Sequence, residues 1–184
     1  MPRILIVTGE ASGDLHGAHL VKALKELSPA LQIVGVGGAS MLAAGAELVK
    51  DIPQLDVMGL IGLSAVKTML QRISRIRTLI KGERWDLVVL IDNPGLNFHF
   101  ARVARACGLK VLYYIAPQVW AWRRGRMRWI QQRVDHVLAI LPFEEPLYKK
   151  AGVRCTFVGN PLLDEVAPSY DRQALRRQFG LSDA

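Results

Sequence analysis

Three observations predict an α/β fold with a mostly parallel sheet for this chain of 184 residues. Short apolar runs rich in Val, Ile and Leu alternate along the chain with longer segments of helical periodicity. The runs are nearly continuously apolar, as in strands that helices cover on both faces of a sheet. Gly108 and Gly152 follow helical segments at positions where a helix C-cap precedes the next strand. These features favour a Rossmann-like, doubly wound domain.

Each predicted strand is short, apolar and bounded by a turn-forming residue. In chain order the strands are RILIVTG, QIVGVGG, AELVKDI, DLVVLID, KVLYYIAP, HVLAILP and CTFVGNP. The helices between them are LHGAHLVKALKEL, ASMLAAG, KTMLQRISRIRTLIKGER, FARVARACG, a basic segment that becomes helical near Arg124, and EEPLYKKAG. The third helix has the clearest period, because apolar residues recur at helical spacing at Met69, Ile73, Ile76 and Ile80.

The composition is that of a globular domain with a local basic excess. Apolar residues make up 51% of the chain, charged residues 22%, and the formal net charge is +8. Residues 1–100 carry ten Lys and Arg against nine Asp and Glu, whereas residues 101–184 carry fourteen against seven. A local excess of cations indicates an anionic partner, such as a phosphate or an acidic membrane surface. We expect no nucleic-acid partner, because no nucleic-acid-binding motif is present.

The sequence pattern predicts neither a metal site nor secretion. Cys107 and Cys155 lack the spacing of metal ligands, and we interpret both as small buried hydrophobic residues. Gly and Glu interrupt the N-terminal apolar run at once, so this run is interpreted as a first strand and not as a signal peptide. A cytoplasmic protein without metal or cofactor is expected.

Ligands of doubly wound folds collect beyond the carboxyl ends of the strands, so the loops at those ends form the candidate site. Asp92 ends the run LVVLI just before Pro94, where a partly desolvated acid can serve as a general base. The alternative, that Asp92 caps the following helix, fits the sequence equally well.

The loop GEASGD at residues 9–14 joins the first strand to the first helix. It lacks the G-x-G-x-x-G spacing, and Glu10 and Asp14 would repel a dinucleotide phosphate, so a polar ligand such as a sugar is favoured. Ser12 and Asp14 are candidate N-caps of the helix. His16 and His19 follow, and we interpret them as packing or capping residues and not as metal ligands.

An uncharged segment, VMGLIGLSAV at residues 57–66, precedes the amphipathic helix with its arginines. It is too short to span a bilayer, but an apolar patch flanked by cations is typical of an interfacial membrane contact. The alternative is an ordinary helix with one face in the core and one in solvent.

The segment APQVWAWRRGRMRW at residues 116–129 contains three of the four tryptophans. Its first two tryptophans precede the predicted start of the helix, so we place residues 118–123 at the floor of the cleft. Trp129 is the tryptophan that we predict to pack into the core.

Seven motifs in this order closely resemble those of the lipid-A-disaccharide synthase family: GEASGD, GVGG, VMG, DNPGLN, APQVWAWR, LPFE and VGNPLLD. The resemblance runs from Ile4 to about Asp164. Members of the family often have Asp-x-Pro-Asp-Phe-Asn where this chain has Gly95 and Leu96, and commonly a histidine where it has Asn160. Roles of those family residues are therefore not transferred.

The resemblance implies an inverting glycosyltransferase of two-domain GT-B architecture, of which this chain is the N-terminal, acceptor-side half. Residues 1–168 are expected to form a Rossmann-like acceptor and membrane-side domain, and residues 169–184 the start of an interdomain linker, with the donor-binding domain absent from the chain. The implied reaction joins UDP-2,3-diacylglucosamine to the 6-hydroxyl of 2,3-diacylglucosamine 1-phosphate and releases UDP. The half alone is expected to be inactive. The implied location is cytoplasmic and peripheral to the inner membrane, with a homodimer as an assembly to test.

The resemblance also implies roles for particular residues. Asp92 is the expected catalytic base. The expected substrate-binding residues are Glu10, Ser12, Asn97, Gln118, Trp120, Trp122 and Arg123. The expected contacts with a membrane or a phosphate are Met58, Leu60, Ile61, Arg72, Arg75, Arg124 and Arg126. The alternative function is a non-catalytic Rossmann-like module that binds an anionic lipid or a nucleotide.

Overall fold

The computed structural model of the chain describes residues 1–50, 52, 63–118, 124–166 and 169–181. Within these ranges, strands β1 to β7 span Arg3–Val7, Gln32–Val36, Glu47–Leu48, Leu87–Ile91, Val111–Tyr114, His136–Ala139 and Cys155–Phe157. Helices α1 to α7 span Ala11–Leu27, Ala39–Ala43, Leu63–Gly82, Pro94–Ala106, Arg124–Arg133, Glu144–Lys150 and Arg172–Gln178. A turn of 3-10 helix at Pro161–Asp164 follows β7.

The seven strands form one sheet in the order β3-β2-β1-β4-β5-β6-β7, and every pair of neighbours is parallel. The chain order reverses between β1 and β4, where Val7 lies beside Leu90. In such a sheet the carboxyl ends of these two strands flank the crevice in which ligands bind. The structure confirms the predicted α/β, Rossmann-like, doubly wound sheet, which is entirely parallel.

Helices cover both faces of this sheet. On one face α1 and α2 bury Ala18, Val21 and Met41 against β1, β2 and β4. On the other face, helices α3 to α6 bury a second set of apolar side chains against β1, β2 and β4 to β7. This set includes Ile76, Phe100, Ile130 and Tyr148. Full burial of a Val, Ile, Phe or Met side chain stabilises a fold by roughly 1.5–3 kcal/mol. The two cores thus hold the strand ends, and the loops that leave them, in fixed relative positions.

Several local predictions are confirmed. Gly108 follows α4 with a φ of 75° and Gly152 follows α6 with a φ of 72°, which is the left-handed conformation expected of glycine after a helix. Helix α5 begins at Arg124, and Cys155 is buried. The prediction for Cys107 is wrong: this residue is exposed, because it is the C-cap of α4 and lies beyond the buried face of that helix.

The predicted N-caps of α1 are also wrong. The N-cap is Glu10, which makes no side-chain capping bond, while Ser12 and Asp14 lie inside the helix. Asp14 instead reaches the start of α2, where its carboxylate accepts hydrogen bonds from the backbone N–H groups of Gly38, Ser40 and Met41 at 2.6, 3.0 and 3.3 Å. A buried acid of one helix therefore caps the next one.

Candidate functional site

Two loops meet at the carboxyl ends of β1 and β4. Gly9 lies so close to Asn93 that a Cβ at Gly9 would collide with the Asn93 side chain, so this approach requires glycine. The Asn93 amide lies 3.5 Å from Glu10 Oε1, at the long limit of a hydrogen bond. The structure thus brings the predicted Glu10 next to the loop that carries Asp92. Ser12 is exposed in the first turn of α1, on the same side of the sheet edge.

Asp92 directly follows β4 and is half-buried. The N-cap of α4 is its neighbour Asn93, whose side chain accepts a hydrogen bond from the Leu96 N–H at 3.2 Å. The alternative interpretation of Asp92 as the cap of this helix is therefore wrong. Among the described residues, the hydrogen bonds of Asp92 engage only its backbone, so the carboxylate is available to a ligand.

The backbone carbonyl of Asp92 is held from two sides. Asn97 Nδ2 donates to this oxygen at 2.7 Å and to the Ile91 oxygen at 2.9 Å, and the Tyr113 hydroxyl donates to the Asp92 oxygen at 2.7 Å. Burial, and then the Asp92 charge, raise the pKa of Tyr113, so its hydroxyl stays protonated as a donor. The prediction that Asn97 binds substrate is corrected: its side chain is 1% exposed, and its amide is used inside the protein.

An open pocket of about 300 Å³ is lined in part by Asp92. Its surface is mainly apolar, with one acid at the β4 side and another at the β6 side. Gln118 is exposed within it, at the position where a substrate-binding side chain was predicted. The pocket is lined by Asp92, Pro94, Ile115, Ala116, Pro117, Gln118, Ile140, Leu141 and Glu144.

The wall opposite Asp92 is held by two buried side chains. Glu144 is 2% exposed, and its carboxylate accepts a hydrogen bond from the Leu141 N–H at 3.3 Å. The Tyr148 hydroxyl donates to the Pro117 oxygen at 2.9 Å, and burial raises its pKa. The sequence predicts no role for either residue, although the motif LPFE contains Glu144. Tyr148 bonds to a loop 31 residues earlier in the chain, whereas Glu144 bonds to a residue only three positions before it.

The two histidines of α1 lie near the segment that follows the 3-10 helix. His19 Nε2 lies 3.1 Å from Glu165 Oε1. The pKa of His16 is lowered, first by burial and then by the charge of His19, while Asp92 and Glu165 oppose this shift. Within the described ranges, no cluster of three or more His, Cys, Asp or Glu side chains could hold a metal ion.

Two of the arginines predicted to contact a membrane or a phosphate differ in exposure: Arg72 is buried and Arg75 is exposed. Arg72 is only 4% exposed, and its guanidinium donates to the Thr8 oxygen at 2.8 Å beneath the β1 loop. Burial lowers its pKa. A membrane contact requires an exposed cation, so the prediction for Arg72 is corrected to a support of the β1 loop. Arg75 is exposed on the same helix, near the exposed Val66 and Leu70.

The basic helix α5 packs aromatic and cationic groups onto α4. The Trp129 ring lies 4.4 Å from the Phe98 ring, between centroids, and Trp129 packs against the core, as predicted. Arg126 is half-buried with its guanidinium 5.4 Å from the centroid of the same Phe98 ring. Arg126 therefore combines a cation–π contact with partial access to solvent.

Six of the predicted site residues lie outside the described residues. They are Met58, Leu60 and Ile61 of the apolar segment and Trp120, Trp122 and Arg123 of the cleft floor. Arg124 is the first residue of helix α5. No helix in the described ranges has the length and apolar character needed to cross a bilayer.

The fold is shared with solved structures of low sequence identity. A putative UDP-N-acetylglucosamine 2-epimerase from Listeria monocytogenes superposes with a TM-score of 0.65 at 14% identity, over 95% of this chain and 50% of that protein. This likeness supports the Rossmann-like half of a GT-B architecture as the fold. At such an identity it shows the fold alone.

Sequence comparison identifies much closer relatives. A lipid-A-disaccharide synthase from Geobacter metallireducens is 47% identical over 180 residues, and one from Syntrophus aciditrophicus is 46% identical over 184 residues. The matches cover 97% and 98% of this chain, but only 47% of each relative, so the chain spans about half the length of these relatives. The family model for lipid-A-disaccharide synthetase matches residues 4–184. The chain belongs to the lipid-A-disaccharide synthetase family.

Proposed function

We propose that the chain is the acceptor-binding half of an inverting glycosyltransferase that joins UDP-2,3-diacylglucosamine to 2,3-diacylglucosamine 1-phosphate. One observation carries this proposal: the half-buried Asp92 lies at the switch point of the sheet, beside an open pocket, with its carboxylate available. Membership of the family agrees with it. Residues 1–168 would form the acceptor domain, and residues 169–184 the start of the linker to a donor-binding domain.

The chemistry needs a base because a sugar hydroxyl is a weak nucleophile until its proton is removed. In the proposed step the Asp92 carboxylate takes the proton of the acceptor 6-hydroxyl. The acceptor oxygen then forms a bond to C1 of the donor sugar, on the face opposite to UDP. The C1–O bond to UDP breaks, and UDP leaves with the bonding electrons, so the configuration at C1 is inverted.

The pocket beside Asp92 is the proposed location of the acceptor sugar. Gln118 offers an exposed amide that can donate to and accept from hydroxyl groups, and the apolar lining suits the carbon face of a sugar ring. Glu10 lies beside Asn93, on the neighbouring loop, and its carboxylate is an additional acceptor for a sugar hydroxyl. Ser12, Trp120, Trp122 and Arg123 are the other residues that we propose for substrate binding.

The protein is proposed to act at the cytoplasmic face of the inner membrane, where diacylated substrates are held. Val66 and Leu70 of α3 are 57% and 61% exposed, which is a high exposure for large apolar side chains. They continue the apolar segment that contains Met58, Leu60 and Ile61. Exposed cations such as Arg75 and the half-buried Arg126 can face anionic headgroups or the acceptor phosphate.

The test of the base is Asp92→Asn in a synthase that carries this chain as its first half. Disaccharide and UDP formation at saturating substrates should fall by about 100-fold to 10,000-fold, the range for loss of a general base. Asp86→Asn is the matched control, because Asp86 is an exposed acid next to the opposite end of β4 and its amide replacement can still accept from the Arg3 N–H. A rate within a few-fold of wild type for Asp92→Asn would exclude Asp92 as the base. Lipid binding without any turnover in the wild-type synthase would favour the non-catalytic alternative.

A further inference from the structure

The turn that carries Asp92 has an unusual backbone. Asp92 has a φ of 49° and Asn93 a φ of 39°, so two successive residues with a Cβ occupy the left-handed region. This region is disfavoured for residues other than glycine, and Asp and Asn adopt it mainly as single residues. A turn of this kind persists only where surrounding contacts determine it, and such turns concentrate at functional sites.

The contacts that determine this turn come from two separate elements. Asn97 lies in the first part of α4 and donates to the oxygens of Ile91 and Asp92. Tyr113 lies on β5, opposite Leu90, and its hydroxyl donates to the same Asp92 oxygen. Both side chains are fully enclosed, with exposures of 1% and 0%. The Asp92 N–H also donates to the Tyr114 oxygen at 3.1 Å.

These contacts decide where the Asp92 carboxylate lies. The φ angle at Asp92 sets the direction of its Cα–Cβ bond relative to the strand, and a change to an extended or right-handed conformation would redirect the side chain. Such a change would rotate the Asp92 carbonyl and break two buried hydrogen bonds at once. Buried donors left without an acceptor are unfavourable, so the enclosed Asn97 and Tyr113 oppose the change.

We infer that Asn97 and Tyr113 are positioning residues that hold the Asp92 carboxylate against the pocket through its own backbone carbonyl. The inference rests on the proposed role of Asp92 as the base. It assigns to Asn97 a task inside the protein in place of substrate binding. It also assigns Tyr113 a role in orienting Asp92, although the Tyr113 hydroxyl bonds to backbone and does not reach the pocket surface.

Tyr113→Phe tests this inference most directly, because phenylalanine keeps the ring in the core and removes only the hydroxyl. In a synthase that carries this chain, we expect kcat to fall about tenfold, as a general base loses its alignment, with KM within about twofold of wild type. Asn97→Ala should act in the same direction.

Tyr114→Phe is the matched control. Tyr114 is the next residue of β5, is also buried and belongs to the core on the other face. Among the described residues, its hydroxyl makes no hydrogen bond to the Asp92 turn. Its kcat should remain within about twofold of wild type. Amide-exchange protection of each variant separates loss of alignment from loss of folding, and Tyr113→Phe keeps the inference testable if Asn97→Ala does not fold.

A structural measurement on residues 1–184 does not depend on turnover. The three-bond HN–Hα coupling and the 13Cα shift of Asp92 report its φ, and both should move in Tyr113→Phe but not in Tyr114→Phe. If Asp92→Asn abolishes turnover while Tyr113→Phe and Asn97→Ala keep wild-type kcat and φ, the inference is overturned and the proposed base stands. If Asp92→Asn remains active while the φ of Asp92 changes in Tyr113→Phe, the turn is held as inferred and the proposed base fails.

Discussion

At the scale of the single residue, the site is built by buried polar groups that hold backbone in place. Asp14 is 8% exposed and receives hydrogen bonds from three N–H groups at the start of α2. Negative charge at the N-terminus of a helix also interacts favourably with the helix dipole. Gly38 fits beside this carboxylate because a Cβ there would approach it within 2.8 Å.

Asp14→Ala should therefore destabilise the chain by about 1–3 kcal/mol, since it leaves buried N–H groups without an acceptor. Urea unfolding of residues 1–184 would measure the change. Asp14→Asn should cost less, because an amide oxygen still accepts. Ser12→Ala is the control: Ser12 is exposed in the same helix and should change stability by no more than about 0.5 kcal/mol. Equal stability of Asp14→Ala and wild type would contradict this account of the α2 cap.

The residue scale is also where prediction from sequence was least complete. The position of Asp92 followed from its place at the end of an apolar run, because a parallel sheet aligns such ends at one edge. The tasks of Asp14 and Asn97 could not be predicted in the same way. Asp14 bonds to groups 24 to 27 residues away, and Asn97 bonds to a carbonyl whose direction depends on a left-handed φ at Asp92. Neither contact leaves a periodic pattern in the chain.

At the scale of the element, periodicity predicted most of what the structure contains. The apolar runs became strands, and the pattern of α3 was confirmed: Ile76 and Ile80 are fully buried, while Met69 and Ile73 pack partly against the core. The same pattern could not predict that Arg72 turns inward to the Thr8 oxygen. A long side chain can follow either face of a helix, and here the Thr8 oxygen of the neighbouring β1 loop supplies an acceptor.

Helix α3 also supports a prediction on membrane binding. Val66→Ser combined with Leu70→Ser should weaken binding of residues 1–184 to anionic vesicles, because burial of each apolar side chain in the interface contributes about 25 cal/mol per Å². Vesicle co-sedimentation at low and high salt would measure it. Leu27→Ser is the matched control, since Leu27 is an 85% exposed leucine at the far end of α1. Equal binding by the double variant and the control would exclude α3 as the contact.

At the scale of the whole molecule, the carboxyl edge of the parallel sheet brings the parts of the candidate site together. Its carboxyl edge carries the Asp92 loop, the Glu10 loop and the pocket, and the helices on both faces hold that edge rigid. The excess of cations lies in residues 101–184, which follow Asp92 in the chain and contribute the rest of the pocket lining. We propose that an anionic, lipid-bearing acceptor approaches Asp92 from this carboxyl edge. Part of the basic excess lies elsewhere, because Arg105, Lys110 and Arg154 surround Asp135 at the amino end of β6.

A catalytic base is not sufficient for transfer, because the reacting atoms must also be held about 3–3.5 Å apart in the correct alignment. This chain spans about half the length of its relatives, and we propose that donor binding requires the other half. Residues 1–184 alone should therefore bind the acceptor, measured by calorimetry with detergent-dispersed 2,3-diacylglucosamine 1-phosphate, and form no disaccharide from a radiolabelled donor. Joining the chain to the second half of the Geobacter metallireducens relative should restore transfer, and Asp92→Asn in that chimera controls for background. Disaccharide formation by residues 1–184 alone, at a rate close to that of the chimera, would contradict the proposal that donor binding requires the other half.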